Sequence, residues 1–63
     1  MTPTPEQITA AMPAMRRWLI NRVPPARRSA WAGMSDGLVL DYVGALYSGG
    51  VEQFIADQEG RRG

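Results

Sequence analysis

Cysteine, histidine and lysine are all missing from these 63 residues. Without cysteine no disulfide can brace the chain, and thiol usage says nothing of its redox setting. Without histidine and cysteine the commonest zinc ligands are gone, so the sequence points to no metal site and no cofactor. Losing lysine as well removes the usual general bases and nucleophiles of enzymes. The remaining carboxylates are not set out for acid–base work. Asp36 and Asp41 are five positions apart, Asp57 and Glu59 two, spacings that diverge on a helix. The expectation is a protein that is not an enzyme, has no catalytic residues and takes no small-molecule substrate.

Long apolar runs are lacking too. No unbroken run exceeds three residues, against the ~20 that cross a bilayer. The opening MTPTPEQITAAM has neither the basic start nor the apolar stretch of a secretory signal. A cytoplasmic protein that makes no membrane contact is expected. At this length only one small domain fits, residues 1–63, and its core must be modest. Small scaffolds without crosslinks or metals commonly gain stability by self-association or partner binding.

All seven cations are arginine. Arginine codons are GC-rich, which suggests a high-GC bacterium or one of its phages as the source. The net charge of +1 argues against a chain that coats nucleic acid along its whole length. The distribution is uneven. Arg16, Arg17, Arg22, Arg27 and Arg28 precede residue 30, while Asp36, Asp41, Glu52, Asp57 and Glu59 follow it. Two halves that fold together and partly neutralise each other would account for this.

The periodicity is helical throughout. Thr4, Pro5 and Gln7 form a helix start, with a capping hydroxyl, a proline where no N–H is needed and a capping-box glutamine. Ile8, Ala11, Met12, Met15, Leu19 and Val23 then recur at three- and four-residue steps. This predicts a first helix over residues 5–22, kinked near Pro13 and ended by Pro24 and Pro25. A short helix over 25–33 would turn Ala30, Trp31 and Met34 inward. Ser35 reads as the cap of a third helix over 36–48, whose inner face would be Leu38, Tyr42, Ala45 and Leu46, widened by Val39 and Val43. The β-branched and aromatic content of this stretch also admits a strand. A last amphipathic helix over 50–58 would place Val51, Phe54 and Ile55 together and stop at Gly60, with the final residues frayed. The fold class is therefore all-α, a compact bundle of three to four short helices.

Two functional readings compete. Trp, Tyr, Met and Arg are the residue types enriched at protein interfaces, where lysine is depleted. Leu40 and Tyr47 project away from the expected inner face of the third helix, which leaves an apolar flank for contact. The favoured reading is thus a small interaction module, an accessory or regulatory factor that docks on a protein partner or on itself. Its candidate interface is Trp18, Arg22, Trp31, Leu40, Val43 and Tyr47. The two tryptophans are equally open to a core role. The alternative is a nucleic-acid-associated protein, with Arg16, Arg17, Arg27 and Arg28 as candidate phosphate contacts. A helix-turn-helix reader fits poorly, because the last helix would present Glu52, Gln53 and Asp57 to the groove. YSGGVEQ is an equally poor phosphate cradle, since no cation follows its glycines.

Overall fold

Helix α1 begins where the Thr4 cap predicts. The Gln7 N–H donates to Thr4 Oγ1 at 3.2 Å, and the Thr4 N–H donates to Gln7 Oε1 at 2.8 Å. Pro5 fills the first position, where a missing N–H costs nothing. A computed structural model describes residues 2–62 of the chain; Met1 and Gly63 lie outside the described residues. It gives α1 at Pro5–Ile20, a 3₁₀ turn at Pro25–Arg27, α2 at Arg28–Ala32, α3 at Asp36–Leu46 and α4 at Gly50–Arg62. The protein is an all-α bundle, and no strand occurs among the described residues.

Pro13 does not interrupt α1. Its side is exposed, and so is Thr9, whose carbonyl Pro13 cannot serve, so solvent can take that role. The helix ends two residues short of the predicted limit, with Asn21 as its C-cap and Pro24 close behind. The segment 25–33 is less regular than its alanine content suggests. It tightens into a 3₁₀ turn before five residues of α-helix, and none of its side chains is buried. Ala30 is exposed, while Trp31 and Met34 are half-buried.

Ser35 caps α3 as read, its Oγ accepting from the Leu38 N–H. At the far end the helix stops at Leu46 because Tyr47 turns to extended geometry, with ψ 132°. Gly49 and Gly50 follow with φ of 88° and 73°, values that glycine alone adopts cheaply. They reverse the chain into α4. Gly60 does not end α4, which runs on through Arg62. A terminating glycine works by taking positive φ, and Gly60 stays in the ordinary helical range.

The buried residues are Ala11, Met15 and Leu19 of α1, Val39 and Val43 of α3, and Phe54 and Ile55 of α4. On α1 the stripe runs as the periodicity indicates. On α3 it does not. Val39 and Val43 are fully enclosed, whereas Leu38, Tyr42 and Leu46 are the exposed large hydrophobics among the described residues. Ala45 is exposed with them. Of the expected inner face of α3, its Val39–Val43 edge meets the core, and its centre at Leu38, Tyr42, Ala45 and Leu46 faces out.

Two polar contacts accompany that rotation. Arg16 of α1 reaches Asp36 at the start of α3, Nη2 to Oδ1 at 2.6 Å, and its Nη1 donates to the carbonyl of Met34 at 2.5 Å. At the other end the Tyr47 hydroxyl donates to Asp57 of α4. Asp36, Leu40, Val43 and Tyr47 share one stripe at steps of four, three and four. With its two polar ends tied to α1 and α4, that stripe must face the bundle.

The Tyr47–Asp57 bond also titrates. The Tyr47 hydroxyl and then the Gln53 amide donate to the charged carboxylate, which lowers the Asp57 pKa from its ordinary 3.8. The same bond, followed by burial, raises Tyr47 from 10.0. A lowered acid stabilises the fold fully above its unfolded pKa and loses that contribution as pH falls through the folded one. A raised phenol contributes fully below its unfolded pKa and loses the contribution as pH rises through the folded one. Tyr47→Phe is therefore expected to lower the urea midpoint at pH 7. The gap to the unaltered chain should close in acid, once pH has fallen below the lowered Asp57 pKa. An equal gap at both pH values would show that the hydroxyl bond is not its source.

Candidate protein interface

The outward face of α3 is built from residues four apart. Leu38 is 48 % exposed, Tyr42 39 % and Leu46 51 %. Steps of four bring side chains onto one slightly inclined row, here about 12 Å long at ~1.5 Å rise per residue. Beside it stands Trp31 of α2, with its ring centroid 5.0 Å from that of Tyr42 and the planes tilted by 47°. The Trp31 ring thus broadens the row on one side. Asp41 is exposed and lies about 100° around the helix from Tyr42. The result is a leucine–tyrosine–leucine ridge with an aromatic shoulder.

The residues first singled out are mostly elsewhere. Val43 is sealed in the core and cannot contact a partner. Leu40 and Tyr47 are half-buried and pack against that core rather than forming an exposed flank. Trp18 belongs to the bundle as well. Its ring meets Tyr47 at 5.3 Å and Phe54 at 6.2 Å, both edge-on, and Tyr47 meets Phe54 at 5.0 Å. This aromatic triangle closes the α1–α4 side of the core, an arrangement favoured by the ring quadrupoles. The Arg22 guanidinium lies 4.8 Å over the Trp18 ring, a cation–π cover for the indole. Of the six candidate interface residues, Trp31 alone adjoins the exposed ridge.

The arginines do not form one patch. Arg16 spends its guanidinium on Asp36 and on the carbonyls of Met34 and Ala32. Here it closes the break between α2 and α3. Arg28 donates from Nε to the Val23 carbonyl at 3.3 Å. Arg17 lines the groove between α1 and α4 with Gln58 and Ile55. Arg27 is exposed at the end of the 3₁₀ turn. These four cations, two adjacent pairs in the sequence, thus differ in their surroundings. A shared phosphate track would need them aligned.

The apolar periodicity of α3 places Leu38, Tyr42 and Leu46 inside because a wide apolar arc gives no direction by itself. Their equal spacing was visible in the sequence. What identifies them as outward is the polar pair on the opposite stripe, Asp36 and Tyr47, whose partners lie in other helices. No helix among the described residues is long and apolar enough to cross a membrane. Comparison with protein-family models, with curated proteins and with solved structures finds no match to this chain.

Proposed function

We propose that this protein is a small interaction module that docks through the α3 ridge on an apolar helical face of protein. The observation that carries the reading is the ridge itself. The three exposed large hydrophobics among the described residues fall on one helix at equal steps, beside an aromatic shoulder. Single exposed leucines are ordinary, but grouped ones rimmed by polar residues mark contact surfaces. The tyrosine and the tryptophan are residue types enriched among interface anchors, and the two leucines add apolar area beside them. Arg27 and Arg28, which precede Trp31 by four and three residues, and Asp41 place charges of both signs nearby.

The module is read as an accessory or regulatory factor rather than an enzyme. The lack of histidine, cysteine and lysine supports that reading. Its proposed setting is the cytoplasm of a high-GC bacterium or phage-infected cell, supported by the arginine-only cation usage. Dispersal of the arginines weighs against the nucleic-acid alternative.

Site-directed photocrosslinking in cells tests the docking surface. A photoreactive phenylalanine in place of Leu46 is expected to give one discrete adduct that disappears when Leu38 is also changed to lysine. The same group at Thr9, exposed on α1, should give none. Adducts independent of position, or no adduct from the ridge, would overturn the assignment.

A further inference from the structure

We infer that the cleft between the second halves of α1 and α4 binds an aryl carboxylate, an aromatic ring that carries one planar acid group. This is a second site, apart from the α3 ridge. The cavity has a volume of about 280 Å³. That is just below the ~300 Å³ at which drug-sized sites begin, and it suits one ring with its acid group. The aromatic triangle of Trp18, Tyr47 and Phe54 lines it. Four side chains with N–H donors complete the wall, Arg17 and Asn21 from the α1 side and Gln58 and Arg61 from α4. Among the described residues, Arg17, Asn21 and Gln58 donate to no partner from their side chains. The donors are therefore available to a guest.

Charge decides the sign of that guest. The carboxylate in the wall, Asp57, is already engaged, since it accepts from the Tyr47 hydroxyl and the Gln53 amide. Arg17 and Arg61 outnumber it, so the cleft is positive. The Arg22 guanidinium, 4.8 Å over the Trp18 ring, adds a further cation beside the indole. Neighbouring cavities along α1 and α4 bring in Glu6, Glu52 and Glu59 instead. An anion is thus drawn to this end of the helix pair. Ring and acid then select together. A guanidinium is planar and forks onto a carboxylate through two parallel N–H···O bonds. The three aromatic side chains favour an aromatic body, met edge to face or offset. Phosphate would use the arginines and leave the rings idle, and a neutral aromatic compound would do the reverse. Holding such a guest requires none of the catalytic groups that the chain lacks.

Phenylacetate is the probe. In a Trp31→Phe variant Trp18 supplies the sole indole of the chain, so its Nε1–H resonance in a nitrogen–proton correlation spectrum reports the cleft directly. Titration should move that resonance with a Kd of about 1 mM, ordinary for a ligand of roughly ten non-hydrogen atoms. Phenylacetamide keeps the shape without the charge, while acetate and inorganic phosphate keep charge without the ring. Each should bind at least about fivefold more weakly. Arg17→Gln and Arg61→Gln, both at exposed positions, should each weaken phenylacetate by roughly fivefold or more with helical content unchanged. Arg27→Gln and Leu46→Glu should leave it unaltered, the latter because the ridge is a separate surface. The acid group has two sources, a free aromatic acid or the C-terminal residue of a peptide. An acetylated Ala-Ala-Ala-Phe peptide with a free carboxylate distinguishes them. Binding about tenfold tighter than phenylacetate would identify the peptide end, and weaker binding the free acid. Should a glutamine variant fail to fold, the ligand series on the Trp31→Phe chain still decides. No shift up to about 20 mM phenylacetate, equal binding of phenylacetamide or phosphate, or shifts indifferent to both arginine substitutions would each overturn the site.

Discussion

Met15→Ala is expected to bring this chain close to unfolding at ordinary temperature. Met15 is fully buried, at 0 % exposure, on the middle turn of α1 and packs in one cluster with Val39, Val43, Phe54 and Ile55. Truncating a buried methionine typically costs about 2–5 kcal/mol, through lost transfer free energy and the cavity left behind. A domain of this size has only about 3–9 kcal/mol in total, at ~0.05–0.15 kcal/mol per residue. The substitution therefore consumes a large share of what holds the chain together. Thermal unfolding followed by circular dichroism should shift down by roughly 8–40 °C, given ~4–8 °C per kcal/mol for small domains. Met15→Leu, which nearly conserves volume, should cost less than about 1.5 kcal/mol. A shift of only a few degrees for the alanine variant would mean that Met15 is not enclosed by the other two long helices.

Gly49→Ala is expected to have the next largest effect, for a different reason. Gly49 has φ 88°, a conformation that an alanine reaches only at a cost of roughly 1–2 kcal/mol. A Cβ built there would also lie 2.5 Å from Gln53 Cβ and 2.9 Å from Gln53 Cγ. The first of these atoms is anchored directly to the α4 backbone, so rotating the glutamine cannot relieve the overlap. The first turn of α4 must move, and with it the approach of Asp57 to Tyr47. Gly50→Ala separates the two causes. Gly50 has φ 73°, but its added Cβ would meet nothing closer than 3.7 Å. Denaturant midpoints should show Gly50→Ala losing about 1 kcal/mol from backbone strain alone, and Gly49→Ala losing at least about twice that. Combining Gly49→Ala with Gln53→Ala keeps the offending Cβ and should recover little. Equal losses at the two glycines would exclude the clash with α4.

Local chemistry made much of the architecture legible. Thr4 with Gln7, Pro5 at the helix start, Ser35 before Asp36 and the Gly49–Gly50 reversal each act within a few residues. The backbone follows them. The inner stripe of α1 was legible too, because its opposite face is polar. Helix α3 offers no such contrast. Leu38, Val39, Leu40, Tyr42, Val43 and Leu46 cover most of its circumference, and periodicity alone cannot orient a helix that is apolar nearly all round. The contacts that go with its rotation come from Arg16, twenty residues before Asp36, and from Asp57, ten residues after Tyr47. Gly60 misled for a related reason. A glycine ends a helix only if the chain after it turns away, and α4 continues. The arginine-rich stretch from Arg16 to Arg28 likewise looked like a single surface, although its residues sit on two helices and the turn between them.

Helix α2 is five residues long and buries no side chain. Alone, a helix that short cannot persist in water, because nucleation costs more than one turn returns. Its shape is imposed from outside, by the Arg16 guanidinium on the Ala32 and Met34 carbonyls and by the indole of Trp31 resting on Tyr42. The segment is a passenger on its neighbours. A change made at Arg16 would therefore be felt at Trp31, fifteen residues along the chain, without the indole itself being altered.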